Sequence, residues 1–291
     1  MWIGANWVVE SASRIAKKLG ISELVIGLTI VAFATSAPEF AVTVSAALAG
    51  KMAISVGNVV GSNIFNLGII LGLVAVFGKV RTNNLLLYRD ASVLVGTGLL
   101  LSLFFFNLEL SSAEGIILIL ILIGYVIFLI RSKADLDEEV PEGEFKWTDI
   151  PKLILGIAVI IGSAHLLVHS ASSIARNLGI SEWMIGITIV AAGTSIPELA
   201  TSLVALHKNN YGISLGNLIG SDLFNMLGVL GTASVIRPLS INQSDFYSLI
   251  ILAAYLIFLF GLMRTSWRIT KWEGIIILLI ALFRWWIVTI M

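Results

Sequence analysis

Long, continuously apolar runs separated by short charged clusters dominate this chain. The runs at 85–106, 115–130, 248–263 and 274–291 show no period-two alternation, so they read as helices and not as strands. A helix rising about 1.5 Å per residue needs about twenty residues to cross a hydrocarbon core of roughly 30 Å. On that measure the pattern predicts an all-α polytopic membrane protein of ten helices. Their expected spans are 1–18, 22–49, 53–78, 85–106 and 112–131, then 150–177, 181–207, 212–235, 244–263 and 271–290.

The two groups of five are copies. Residues 20–66 match residues 179–225 at a constant offset of 159, with 24 of 47 positions identical. The match includes Gly20-Ile21-Ser22-Glu23 with Gly179-Ile180-Ser181-Glu182, and the same offset later relates Glu114-Gly115 to Glu273-Gly274. The expected organisation is therefore a repeat half over 1–131, an acidic linker over 132–149, and a second half over 150–291. Five is odd, so the second copy must be inverted relative to the first, an arrangement found in transporters. Nothing precedes Met1 to match 152–160, so the first helix should be shortened at its outer end, or the chain should begin inside a longer protein.

Charge orients the helices. Fourteen of the eighteen Lys and Arg residues fall in or beside the loops after helices 1, 3, 5, 7 and 9, against Lys51, Arg176 and Arg237 on the other side. The first set should be cytoplasmic, with both termini outside. Trp147, Trp267, Trp272, Trp285 and Trp286 lie near predicted helix ends and suit the interface. The acidic run 135–144 reads as a solvated linker.

Composition agrees: 58% of residues are hydrophobic and 12% charged, with a mean hydropathy of +0.99. A net charge of zero offers no basic field for nucleic acid, and no protein partner is evident. The absence of cysteine excludes disulfides and thiolate metal sites. The N-terminus lacks the order of a signal peptide, because Arg14, Lys17 and Lys18 follow its apolar stretch.

Candidate chemistry lies in two segments, Thr35-Ser36-Ala37-Pro38-Glu39 and Thr194-Ser195-Ile196-Pro197-Glu198. Each places a glutamate mid-span, where a lone charge costs about 3 kcal/mol or more and marks a functional site. Each proline withholds a backbone donor, freeing carbonyl oxygens near Ala34-Thr35 and Gly193-Thr194. Carboxylates beside carbonyls and hydroxyls suit a hard cation. Thr43 and Ser202, four residues after each glutamate, can add hydroxyls. A proline kink with a protonated, hydrogen-bonded glutamate is the alternative, and it fits one copy better than two.

The next helices carry Gly57-Asn58-x-x-Gly61-Ser62-Asn63-x-x-Asn66 and Gly216-Asn217-x-x-Gly220-Ser221-Asp222-x-x-Asn225. The glycines allow close helix packing. Ser62 with Asn66, and Ser221 with Asn225, present oxygens on one helix face.

These doubled motifs resemble the alpha repeats of the Ca2+/cation antiporter superfamily, most nearly the compact prokaryotic Na+/Ca2+ exchangers. The resemblance implies Ca2+ held between Glu39 and Glu198, with backbone oxygens of Thr35 and Thr194. It implies Na+ at flanking positions using Ser36, Ser195, Ser62, Ser221 and the two glutamates, with Asn66 and Asn225 near the centre. Asp222, where the first half has Asn63, lies off the Ser221–Asn225 face and is expected to line the entrance or pair locally more readily than to join the site. No resident cofactor is implied, since Ca2+ and Na+ are cargo.

Two ionised carboxylates about 5 Å apart repel by roughly 3 kcal/mol at an effective dielectric near 20. An empty pair should therefore resist crossing, and obligatory exchange follows if only neutralised states interconvert. A H+/Ca2+ or K+-linked exchanger remains the alternative, and a cation channel a more distant one. His165 and His169 are spaced for a metal, but their repeat counterparts are Asn6 and Glu10, so they read as polar residues near the outer face. No nucleophile–base arrangement suggests an enzyme.

Overall fold

A computed structural model describes residues 1–78, 80–131, 144–180, 189 and 191–290. Most of the expected linker and the start of the seventh helix (181–188 and 190) lie outside the described residues. Among the described residues the chain is helical throughout, apart from two pairs of two-residue strands. We label the helices α1 (Trp2–Leu19), α2a (Glu23–Thr35), α2b (Ala37–Leu48), α3 (Met52–Phe77), α4 (Leu85–Asn107) and α5 (Ser112–Arg131). The second half contributes α6 (Asp149–Asn177), α7 (Ile196–His207), α8 (Tyr211–Ile236), α9 (Gln243–Ser266) and α10 (Lys271–Ile290). Among the described residues, six helices are long and apolar enough to cross a membrane, and the bent pair α2a–α2b makes a seventh.

Local chemistry explains the boundaries. Gly20 and Gly179 adopt left-handed φ of 68° and 79°, ending α1 and α6 with the same turn in both repeats. Ser22 then caps α2a by accepting from the Val25 N–H. The repeated Glu114 and Glu273 serve a shared purpose. Each accepts from a backbone N–H three residues earlier, at Ser111 and Thr270, while those hydroxyls accept from the glutamate N–H. These reciprocal capping boxes start α5 and α10.

The repeats interlock by exchange. β1 (Val80–Arg81) pairs with β4 (Arg268–Ile269), and β2 (Glu109–Leu110) with β3 (Leu239–Ser240), both antiparallel. Adding 159 to one register gives the other, so a single two-fold operation relates both pairs. The helices obey the same rule: α5 packs on the end of α8, and α10 on the end of α3.

The first helix is shorter than its counterpart in the second repeat. It has 18 residues against 29 in α6 and runs antiparallel to the N-terminal part of α6. Leu166, Leu167 and Ile174 further along α6 stay exposed, as do His165 and His169. Ion pairs fasten the other end: Arg14–Asp149 at 3.1 Å, with Glu10 between Lys152 at 2.6 Å and Lys208 at 2.8 Å.

Candidate cation site

The expected single helix over 22–49 is two helices. α2a stops at Ser36, whose φ/ψ of −82°/8° leave the helical basin, and α2b resumes at a bend of 49°. Pro38 is the cause, since it sits in the first turn of α2b, where no intrahelical donor is required of it. Pro197 occupies the same place in α7, and Ser195 has nearly the same dihedrals (−89°/5°). Glu39 and Glu198 thereby fall in the first turn of a helix, where backbone N–H groups favour negative charge.

The two breaks face each other. Ser36 Oγ donates to Glu198 Oε1 at 2.9 Å, and Ser195 Oγ donates to Glu39 Oε1 at 3.0 Å. Each serine lies one turn from the glutamate of its own repeat, so this exchange brings both carboxylates together. Both glutamates and both serines are fully buried.

α3 and α8 surround the pair with oxygens. The Thr35 and Ser221 hydroxyls approach to 3.3 Å, and those of Ser62 and Thr194 to 3.4 Å. Thr35 also donates to Asn217 Oδ1 at 3.0 Å. Thr43 and Ser202 point at neighbouring asparagines: Asn58 Nδ2 donates to Thr43 Oγ1 at 3.0 Å and Asn217 Nδ2 to Ser202 Oγ at 3.1 Å. The same amides reach the backbone oxygens of Glu39 and Glu198 at 3.4 Å, steadying the turn that carries each carboxylate.

Deeper along α3 and α8, Asn225 Nδ2 donates to Asn63 Oδ1 at 3.1 Å, and Asn66 Nδ2 to Asp222 Oδ1 at 2.9 Å. These contacts are also related by the repeat. Asn66 and Asn225 each stand in a π-helical stretch, Phe65–Ile70 and Phe224–Val229. Such widened turns are frequent at functional sites. Asp222, expected to line the entrance or pair locally more readily than to join the site, is fully buried between the repeats and accepts from Asn66.

What remains unpaired bears on what the site can hold. Glu39 Oε2, Glu198 Oε2, Asn66 Oδ1, Asn225 Oδ1 and Asp222 Oδ2 are buried with no partner among the described residues. Buried polar atoms are otherwise satisfied almost without exception. Among the described residues no Lys or Arg pairs with Glu39, Glu198 or Asp222. Bare hard oxygens carrying net negative charge suit Na+, Ca2+ or similar ions.

All thirteen residues singled out from the sequence belong to this buried assembly. Sequence reasoning did not assign Asn58, Asn63 and Asn217 a part in it. Their signal was present in the G-N-x-x-G-S-N/D motif, where two of them occupy the position after the first glycine.

A family model described as sodium/calcium exchanger protein matches residues 1–131 and 150–290. The chain is 35% identical to the sodium/calcium exchanger MaX1 of Methanosarcina acetivorans, over 95% of this chain and 91% of that protein. It is 30% identical to the inner membrane protein YrbG of Escherichia coli, covering 86% and 82% of the two chains. Solved structures of the sodium-calcium exchanger NCX_Mj superpose with a TM-score of 0.86 at 30% identity, covering 97% of this chain and 92% of that one.

Proposed function

The chain belongs to the sodium/calcium exchanger protein family, and from that premise we propose that it exchanges Na+ for Ca2+ at one site between Glu39 and Glu198. Membership makes it a multi-pass membrane transporter of the cation/Ca2+ antiporter class, not an enzyme. The finer assignment rests on one observation, the reciprocal serine bonds that leave Oε2 of each glutamate bare.

In this reading Ca2+ bridges the two bare oxygens, helped by backbone oxygens of Thr35 and Thr194, and its two charges cancel those of the glutamates. Na+ ions replace it at flanking positions made by Ser36, Ser195, Ser62 and Ser221, with Asn66 and Asn225 at the centre. Thr43 and Ser202 act indirectly, through Asn58 and Asn217. Because the two halves are inverted copies around this site, rocking one part against another exposes it to either side in turn. Empty carboxylates repel and resist crossing, whereas neutralised ones cross, and exchange is obligatory for that reason. We further assign residues 1–131 and 150–291 as the two halves and 132–149 as a cytoplasmic linker, with both termini outside.

Purified protein in liposomes, with Na+, K+ and H+ gradients imposed separately, tests this. A Na+ gradient at clamped pH should drive Ca2+ uptake, and Glu39→Gln should abolish it. Uptake that follows only the H+ or K+ gradient, or full activity in the variant, overturns the assignment.

A further inference from the structure

Both repeats make the same turn between their last two helices, and only one of the two turns is cationic. Trp267 and Leu108, repeat equivalents, take left-handed φ of 53° and 65°. A two-residue strand follows each, and then a capping box that starts α10 or α5. The side chains differ. Arg264, Trp267, Arg268, Lys271 and Trp272 stand where the other turn has Phe105, Leu108, Glu109, Ser112 and Ala113. The second set supports the same backbone, so the fold does not require the first.

The cationic turn is laid out as a binding surface. The Arg264 guanidinium lies 4.9 Å from the centre of the Trp267 ring, and Tyr88 of α4 meets that ring at 6.1 Å. Arg264, Arg268, Lys271 and Trp272 are all exposed. Arg264 and Lys271 make no ion pair among the described residues. Glu273, the nearest acid in sequence, is committed to the cap, where its Oε2 accepts from the Thr270 N–H and hydroxyl. Stacking on Trp267 holds the Arg264 fork in place, and a guanidinium can meet two phosphate oxygens at once. The helix ends set the depth. α9 stops and α10 starts here, so the cluster lies where a span meets water, at the level of lipid phosphates, and tryptophan suits that level.

We propose that Arg264, Arg268 and Lys271, on a platform of Trp267 and Trp272, bind the phosphate of an anionic phospholipid at the junction of α9 and α10. The face is the one assigned above to the cytoplasm, where anionic headgroups attract such clusters. The site is independent of which ion is exchanged, yet it reaches the transport machinery. α10 packs on the end of α3, and Tyr255 of α9 donates to the Leu67 oxygen at 3.3 Å, within the π-helical stretch that carries Asn66. A bound lipid therefore braces the two helices that hold this stretch.

Purified protein in a neutral detergent, titrated with phosphatidylglycerol, tests the site through the melting temperature, which rises when a ligand binds the folded state. Wild type should show a rise that phosphatidylcholine does not produce. Arg264→Gln/Arg268→Gln/Lys271→Gln should need roughly 100-fold more phosphatidylglycerol for the same rise, having lost three cations at the membrane surface. Lys17→Gln/Lys18→Gln/Lys146→Gln removes the same charge from exposed positions elsewhere on that face and should respond like wild type. Equal responses from the two triple variants reduce the effect to general surface charge and overturn the site. A rise that phosphatidylcholine matches, or that inorganic phosphate at the same concentration reproduces, also overturns it. A second measurement leaves the cations in place. Brominated phosphatidylglycerol should quench tryptophan fluorescence more than brominated phosphatidylcholine does, and the excess should vanish in Trp267→Phe/Trp272→Phe. An excess that survives the loss of both tryptophans places the lipid elsewhere and overturns the site.

Discussion

Each glutamate of the central pair has one oxygen held by a serine of the opposite repeat and one left bare. The serines thus aim the carboxylates as well as lining the site. A hydrogen bond to a charged group contributes about 1.5–3 kcal/mol, so Ser36→Ala or Ser195→Ala should weaken apparent Ca2+ affinity roughly 10- to 100-fold. The repeat requires the two losses to be similar. Ca2+ dependence of flux in liposomes checks this, and an unchanged affinity in both variants would remove the serines from the site. The motif residues stood out in the sequence because an intramembrane acid next to a proline occurs twice at the same place in the repeat. Asn58 and Asn217 were less legible. An asparagine one position from a packing glycine serves equally well as a lipid-shielded polar contact, and only the approach of α3 to α2b, or α8 to α7, shows which hydroxyl it meets. The partner of Asp222 was not legible for another reason. Ideal 100° steps put it off the Ser221–Asn225 face, but its partner comes from the facing helix, which a projection of one helix cannot include.

At the level of elements, the site depends on how closely α8 approaches α2a. A Cβ on Gly216 would come within 2.5 Å of the Leu24 oxygen, and one on Gly220 within 2.5 Å of the Leu28 oxygen. The expected glycine packing is therefore present on α8; Gly57 and Gly61 on α3 meet no atom within 4 Å among the described residues. Forcing α8 outward would carry Ser221, Asp222 and Asn225 away from Thr35 and Asn66. Gly216→Ala or Gly220→Ala should each cost about 1–3 kcal/mol from overpacking, and should also weaken Ca2+ binding. Gly124 on α5 faces open space, so Gly124→Ala should leave the melting temperature unchanged or raise it. Thermal unfolding in detergent, with and without Ca2+, separates these cases. Helix order was legible from the apolar runs taken together with the repeat and the loop charges. Pro38 marked where the 49° bend falls, but the π-helical stretches and the two-residue strands were not legible, because an all-apolar helix has no polar stripe to show a slipped turn and two residues cannot show a period.

For the whole molecule, inversion of the repeats ties one site to two faces of a membrane. The exchanged strand pairs and the crossed serine bonds are all generated by the same 159-residue relation. An odd number of spans in each half is its necessary partner: only then do equivalent loops lie on opposite sides. Lys51, after α2b, and Lys146, before α6, are both exposed and are separated by the three spans α3, α4 and α5. With no cysteine in the chain, Lys51→Cys and Lys146→Cys each create a unique thiol without altering the buried site. An impermeant maleimide added to intact cells should label the Lys51→Cys variant, and should label Lys146→Cys only after the membrane is opened. The reverse pattern would flip the orientation drawn from the loop charges and leave the inverted repeat intact. Labelling of both from the same side would require an even number of spans between them, and one site could then no longer be presented to both faces by copies of opposite orientation.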